Sequence, residues 1–126
     1  MRTLVPRLLA AALFAACGAA AGADDALPPA LAHARKLYEV YCVQCHGVNR
    51  DGNGVNSREM AVKPRDHTDS KAMGDTPDEL LSKAIKGGGL AVGKSVLMPR
   101  WEGVMTDDEI AQMVAYLRFV SKTTPK

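Results

Sequence analysis

An all-α fold, built of helices joined by long loops, is what this sequence predicts. Three observations carry the prediction: no run of β-branched residues supplies strands, apolar residues recur at helical spacing, and a Thr-led helix-start signature appears twice. The first helix is expected after Pro28-Pro29, because proline's fixed φ suits a helix start. Leu31, Ala34, Leu37, Tyr38 and Tyr41 follow at i, i+3, i+6, i+7 and i+10, an apolar stripe running into Cys42. Residues 47–70 hold Gly52, Asn53, Gly54, Asn56, Pro64 and several Asp, and read as loop. A second helix opens at Thr76-Pro77-Asp78-Glu79, with Thr76 as cap, Pro77 at the first position and Glu79 completing a capping box. Leu80, Leu81, Ala84 and Ile85 form its buried face, and Gly87-Gly88-Gly89 stops it. The last helix repeats the device with Thr106-Asp107-Asp108-Glu109, and its stripe is Ile110, Met113, Val114, Leu117 and Val120.

Function is concentrated in Cys42-Val43-Gln44-Cys45-His46. On one helical turn positions 42, 45 and 46 are i, i+3 and i+4, so two thiols and an imidazole share a face. That suits covalent attachment of a haem, with Cys42 and Cys45 adding to its vinyl groups and His46 reaching the iron. Other readings of these residues fit less well. A zinc site takes about four ligands, and beyond residue 23 the chain offers only Cys42, Cys45, His33, His46 and His67. A thioredoxin-like pair needs a βαβ setting. A disulfide across so short a span closes a tiny loop and gains little.

Residues 1–23 read as a signal peptide. Arg2 and Arg7 form a positive start, Leu8 to Ala16 an apolar stretch, and Ala21-Gly22-Ala23 a cleavage site before Asp24. The stretch is too short to span a bilayer of about 30 Å, so no transmembrane span is expected. Export to the periplasm agrees with the motif, since haem is attached covalently outside the cytoplasm in bacteria. Cys17 falls within the leader; Phe14-Ala15-Ala16-Cys17-Gly18 nearly matches a lipobox, which makes a lipid anchor at Cys17 the alternative to cleavage after Ala23. Cleavage leaves 126 − 23 = 103 residues, 24–126, as one small domain. Losing Arg2 and Arg7 leaves 16 − 2 = 14 basic residues against 14 acidic ones, and two haem propionates would make the protein neutral to mildly acidic. That balance argues against a nucleic-acid partner. A domain of this size buries a limited share of its surface, and a large flat cofactor would supply much of the core.

With these residues in place the chain resembles a class I cytochrome c, and the likeness runs across residues 24–126. The resemblance implies a small helical domain wrapped around one covalent haem. Its N-terminal helix crosses the C-terminal helix where a small residue meets an aromatic; here Ala34 stands in the usual glycine position, four residues before Tyr38, opposite Tyr116-Leu117. It implies a methionine as second axial ligand in a Met-Pro pair, here Met98-Pro99, and a proline carbonyl, here that of Pro64, accepting the proton of the iron-bound imidazole. Trp101 is expected at the haem edge, either donating its indole N–H to a propionate or filling core.

Among six methionines, Met98 is favoured by the proline after it, its loop position and its 98 − 46 = 52 residue separation from His46. Met1 lies in the leader, Met113 on a buried stripe, and Met105 just before the Thr106 cap, while Met60 and Met73 lie in predicted loops. His33, near Arg35 and Lys36, reads as solvated. His67 reads as a surface loop histidine, although it is the one rival to Met98. With His46 and Met98 both on the iron, no substrate binds there, so the expected role is outer-sphere electron transfer with unidentified donor and acceptor proteins, not enzymatic chemistry. A ligand sensor or enzyme lacking the methionine bond and a haem subunit of a periplasmic oxidoreductase are the alternatives.

Overall fold

A computed structural model describes residues 27–124. Residues 1–23, expected above to be a signal peptide, and with them Cys17, lie outside the described residues. Every regular element is helical, and the only β-type pairing among the described residues is an isolated bridge between Glu102 and Met105.

Pro28 and Pro29 open the fold as expected, through a single 3₁₀ turn, Pro29–Leu31, that leads into α1, Ala32–Tyr41. Ala34 and Tyr38 are its buried residues. At Cys42 the helix loosens and resumes as α2, Val43–His46, so the motif spans the junction of two helical segments. The side chains of Cys42, Cys45 and His46 still reach one cavity.

The 47–70 region is irregular in the main, yet ordered by the motif it follows. Gly52 N–H donates to the His46 carbonyl at 2.9 Å and Gly54 N–H to the Cys45 carbonyl at 3.0 Å. These are the carbonyls that a helix end leaves without partners. A 3₁₀ turn, Val55–Ser57, follows. The loop closes on a short helix that the sequence pattern does not predict, α3, Ser70–Gly74, capped by Asp69 accepting from the Ala72 N–H at 2.9 Å. Met73 therefore sits on a helix, fully buried, and not in a loop.

Helix α4, Asp78–Gly87, begins one residue later than expected. Pro77 occupies the cap position, and the Thr76 hydroxyl instead donates to the Ala72 carbonyl at 2.8 Å. The expected capping box at Thr76–Glu79 does not form, because the end of α3 lies within reach and competes for the hydroxyl. Leu81 and Ile85 are buried as expected, whereas Leu80 faces the cavity and is exposed. The glycine run ends the helix and serves a second purpose. Gly88 has φ +76°, and a Cβ there would lie 2.8 Å from the Met98 carbonyl oxygen. Gly89 N–H also donates to that carbonyl, at 3.0 Å. The Met98 loop thus lies directly on the turn.

Helix α5, Asp107–Thr123, carries the full capping box: Thr106 Oγ1 accepts from the Glu109 N–H, and Glu109 Oε2 accepts from the Thr106 N–H. Ile110, Met113, Val114, Leu117 and Val120 are all buried. Helix α1 packs across α5, with the rings of Tyr38 and Tyr116 5.6 Å apart. His33 is exposed, as expected, and also shares a 2.9 Å hydrogen bond with Glu109 that ties α1 to the start of α5. Arg118 of α5 reaches the other way, bonding Asp78 and the carbonyls of Met73 and Thr76. Its guanidinium holds the α3–α4 link against α5.

Candidate cofactor site

A cavity of about 450 Å³ opens between the motif, α4, α5 and the Met98 loop, within the range of about 300–1,000 Å³ common to cofactor sites. Cys42, Cys45 and His46 line it, as does Met98, contributed by a segment that folds back from beyond α4. Leu81, Ile85 and Leu117 supply apolar wall. Trp101 lines it too, with its ring 5.0 Å from that of Tyr41. Met60, Met105 and Met113 also border the cavity, so lining alone does not single out Met98.

The motif's chemistry follows from its burial. Both thiols are free. Loss of solvent pushes the Cys42 thiol up to about 12, and the neighbouring Cys45 adds to the shift. Cys42 is therefore not a low-pKa thiolate of the kind used in redox pairs or in thiolate–metal bonds. Burial also lowers the His46 pKa, against the opposing effect of its hydrogen bond to the Arg65 carbonyl. His46 is thus held as neutral imidazole. Its Nδ1–H donates to the Arg65 oxygen at 2.9 Å, which leaves Nε2 as the nitrogen available to a metal. The acceptor is Arg65, not the Pro64 carbonyl that the resemblance implied.

His67 is where expectation from the sequence fails most clearly. Expected on the surface, it is buried. Its Nδ1 shares a 3.2 Å hydrogen bond with the Tyr38 hydroxyl, and its ring lies on that of His46, centroids 4.4 Å apart and 17° from parallel. Burial and the adjacent His46 hold its pKa well below the ordinary value. The groups that bury it stand on α1 and α2, remote in the chain, so its neighbours in sequence could not reveal them. Asp66 carries the one local signal, a turn signature in which its Oδ1 accepts from Thr68 N–H at 2.8 Å. Stacked face to face on His46, His67 is not placed to meet the same metal from the opposite side. Two imidazoles binding one metal from opposite sides cannot lie face to face at this distance.

The family described as cytochrome C oxidase, cbb3-type, subunit III has a sequence profile that matches residues 29–117. The chain belongs to that family. It is a c-type cytochrome domain, an electron carrier and not an enzyme, and its cofactor is haem c with its iron. A solved structure, the KustC0563 c-type cytochrome, is similar in fold at a TM-score of 0.55 and 24% identity, covering 69% of this chain and 95% of that one. No curated protein matches. Two free thiols beside an imidazole with its Nδ1 engaged, on the wall of a largely apolar cavity that a thioether also lines, are a donor set that fits haem. No helix among the described residues is long and apolar enough to cross a membrane.

Proposed function

We propose that this chain is an exported, periplasmic monohaem electron carrier of a respiratory or oxidative electron-transfer chain, with residues 24–126 as the mature protein. Cys42 and Cys45 would hold the haem through thioether bonds, His46 would ligate the iron through Nε2, and Met98 would be the second axial ligand. The observation that carries this reading is the convergence of all four side chains on one cavity, with His46 already oriented by Arg65. When bound, the haem supplies a one-electron Fe(III)/Fe(II) couple whose potential a thioether ligand raises.

The protein's own groups do the rest. Burial keeps His46 neutral and able to ligate. Leu81, Ile85 and Leu117 keep water from the site. The glycine turn at 88–89 holds the Met98 main chain in place through the Gly89–Met98 hydrogen bond, which limits rearrangement between oxidation states. With His46 and Met98 both holding the iron, a substrate would have no place to bind there. Trp101, packed on Tyr41, would flank the haem edge where a redox partner docks over a small, transient interface.

Haem is expected to stay with the polypeptide through acid–organic extraction, and Cys42→Ala to shift the pyridine haemochrome spectrum. Intact mass is expected to start at Asp24; a diacylglycerol-modified Cys17 would show a membrane anchor instead. Haem that extracts freely from the wild type would refute the attachment.

A second reading makes the chain a fixed haem subunit of a periplasmic oxidoreductase, and the matched family's description as an oxidase subunit favours it. Purification at native expression level separates the two: a free carrier elutes alone, a subunit with its partners.

A further inference from the structure

We propose that His67 is a positioning residue for the iron-ligating imidazole: its ring is the flat surface against which His46 is set. The proposal rests on the assignment of His46 as a haem ligand.

A histidine ring turns about a broad final torsion, and a carbonyl accepts hydrogen bonds over a wide range of directions. The 2.9 Å bond from His46 to Arg65 therefore holds one corner of the ring without fixing its plane. The His67 face, 4.4 Å away and 17° from parallel, supplies the missing constraint.

His67 is itself held from three sides. Its main-chain N–H donates to the Arg50 carbonyl at 2.8 Å. Its Nδ1 is bonded to the Tyr38 hydroxyl at 3.2 Å. The Tyr38 ring stands edge-on to it, 5.8 Å between centroids and 71° between planes. Tyr38 is in turn buried against Tyr116 on α5. Asp66 fixes the adjoining turn through Thr68 N–H and Oγ1. An aliphatic side chain could fill the same space, but it would present no plane and could not be oriented by Tyr38. The orientation of His46 is thus referred through His67 and Tyr38 to the crossing of α1 and α5.

The direction of an axial imidazole plane sets the splitting of the lower d orbitals in low-spin ferric iron. Electron paramagnetic resonance g values and the order of the hyperfine-shifted haem methyl resonances report it, and a residue that merely filled space would not move them. The experiment uses the oxidised holoprotein as wild type, His67→Leu, His67→Phe and Tyr38→Phe. His67→Leu is expected to broaden the g values and reorder the methyl resonances while the methionine–iron band persists. His67→Phe, which keeps a flat face, is expected to restore most of the wild-type pattern. Tyr38→Phe, which keeps the face but releases its orientation, is expected to broaden the signal partially.

Unchanged spectra in folded His67→Leu would overturn the proposal. Should that variant fail to fold, unchanged spectra in Tyr38→Phe would do the same. A His67→Phe signal as broad as that of His67→Leu would also overturn it, by showing that the flat face is irrelevant. A wild type without a histidine-ligated low-spin signal would sink the ligand assignment and this proposal together, whereas a normal wild type with unmoved variants would sink this proposal alone.

Discussion

His46 donates its Nδ1 proton to the Arg65 carbonyl at 2.9 Å, across a loop that returns nineteen residues later in the chain. Gly52 stands between the two arms of that loop. Its N–H donates to the His46 carbonyl at 2.9 Å, and a Cβ at Gly52 would lie 2.7 Å from the Pro64 oxygen. The ring and the main chain of the motif histidine are therefore held by one loop whose closure depends on a missing side chain.

Gly52→Ala is expected to force Pro64 and Arg65 outward and lengthen the bond to His46. Its φ of +82° adds strain of about 1–3 kcal/mol for a non-glycine residue. A weaker bond makes the imidazole less basic and so a poorer donor to ferric iron. The potential is expected to rise and the melting temperature to fall, read by potentiometric titration and thermal denaturation. A lower potential would contradict the account.

Met98 and Met73 should part company on substitution. Met98→Ala is expected to abolish the weak red methionine-to-iron charge-transfer band, lower the potential and admit carbon monoxide or cyanide, with a modest change in stability. Met73 is fully buried, and Met73→Ala is expected to cost about 2–5 kcal/mol while the band survives. Visible spectra and denaturant titrations of the two variants test the pair.

Arg118 donates to Asp78 at 2.6 Å and to two main-chain carbonyls at the α3–α4 link. Its truncation to Ala is expected to cost about 2–3 kcal/mol, since partly buried bonds from a charged donor are lost. Asp78→Asn removes only an exposed ion partner and is expected to cost less than about 1 kcal/mol. Equal losses from the two variants in urea would show that the carbonyl bonds contribute nothing.

Acid stability depends on Glu109. Its bond to His33, then those to Thr106, lower its carboxyl pKa from the ordinary 4.5 to about 2. The folded state thus binds the proton more weakly than the unfolded chain. The stabilisation is complete above pH 4.5 and is lost as pH falls from 4.5 to about 2. Glu109→Gln keeps an acceptor for the cap without the charge. The wild type is expected to be the more stable at pH 7, with the difference closing across that acid window in matched urea titrations.

Local chemistry makes much of this protein legible in its sequence. Proline starts, the Thr106–Glu109 box and apolar residues at helical spacing define α1, α4 and α5, because such signals act within a turn or two of chain. The Cys42-Val43-Gln44-Cys45-His46 spacing is likewise local, and it is enough to point to haem. What the tertiary structure decided were competitions between remote groups. The end of α3 draws the Thr76 hydroxyl away from the expected cap. The glycine run becomes a seat for the Met98 main chain as well as a helix stop. The return of the loop selects the Arg65 carbonyl over that of Pro64. His67, surrounded in sequence by Arg, Asp and Thr, turns inward because Tyr38 and His46, both far back along the chain, offer a hydrogen bond and a flat face. Burial and hydrogen bonding between distant segments exist only once the helices have crossed, so no pattern among neighbours along the chain could supply them.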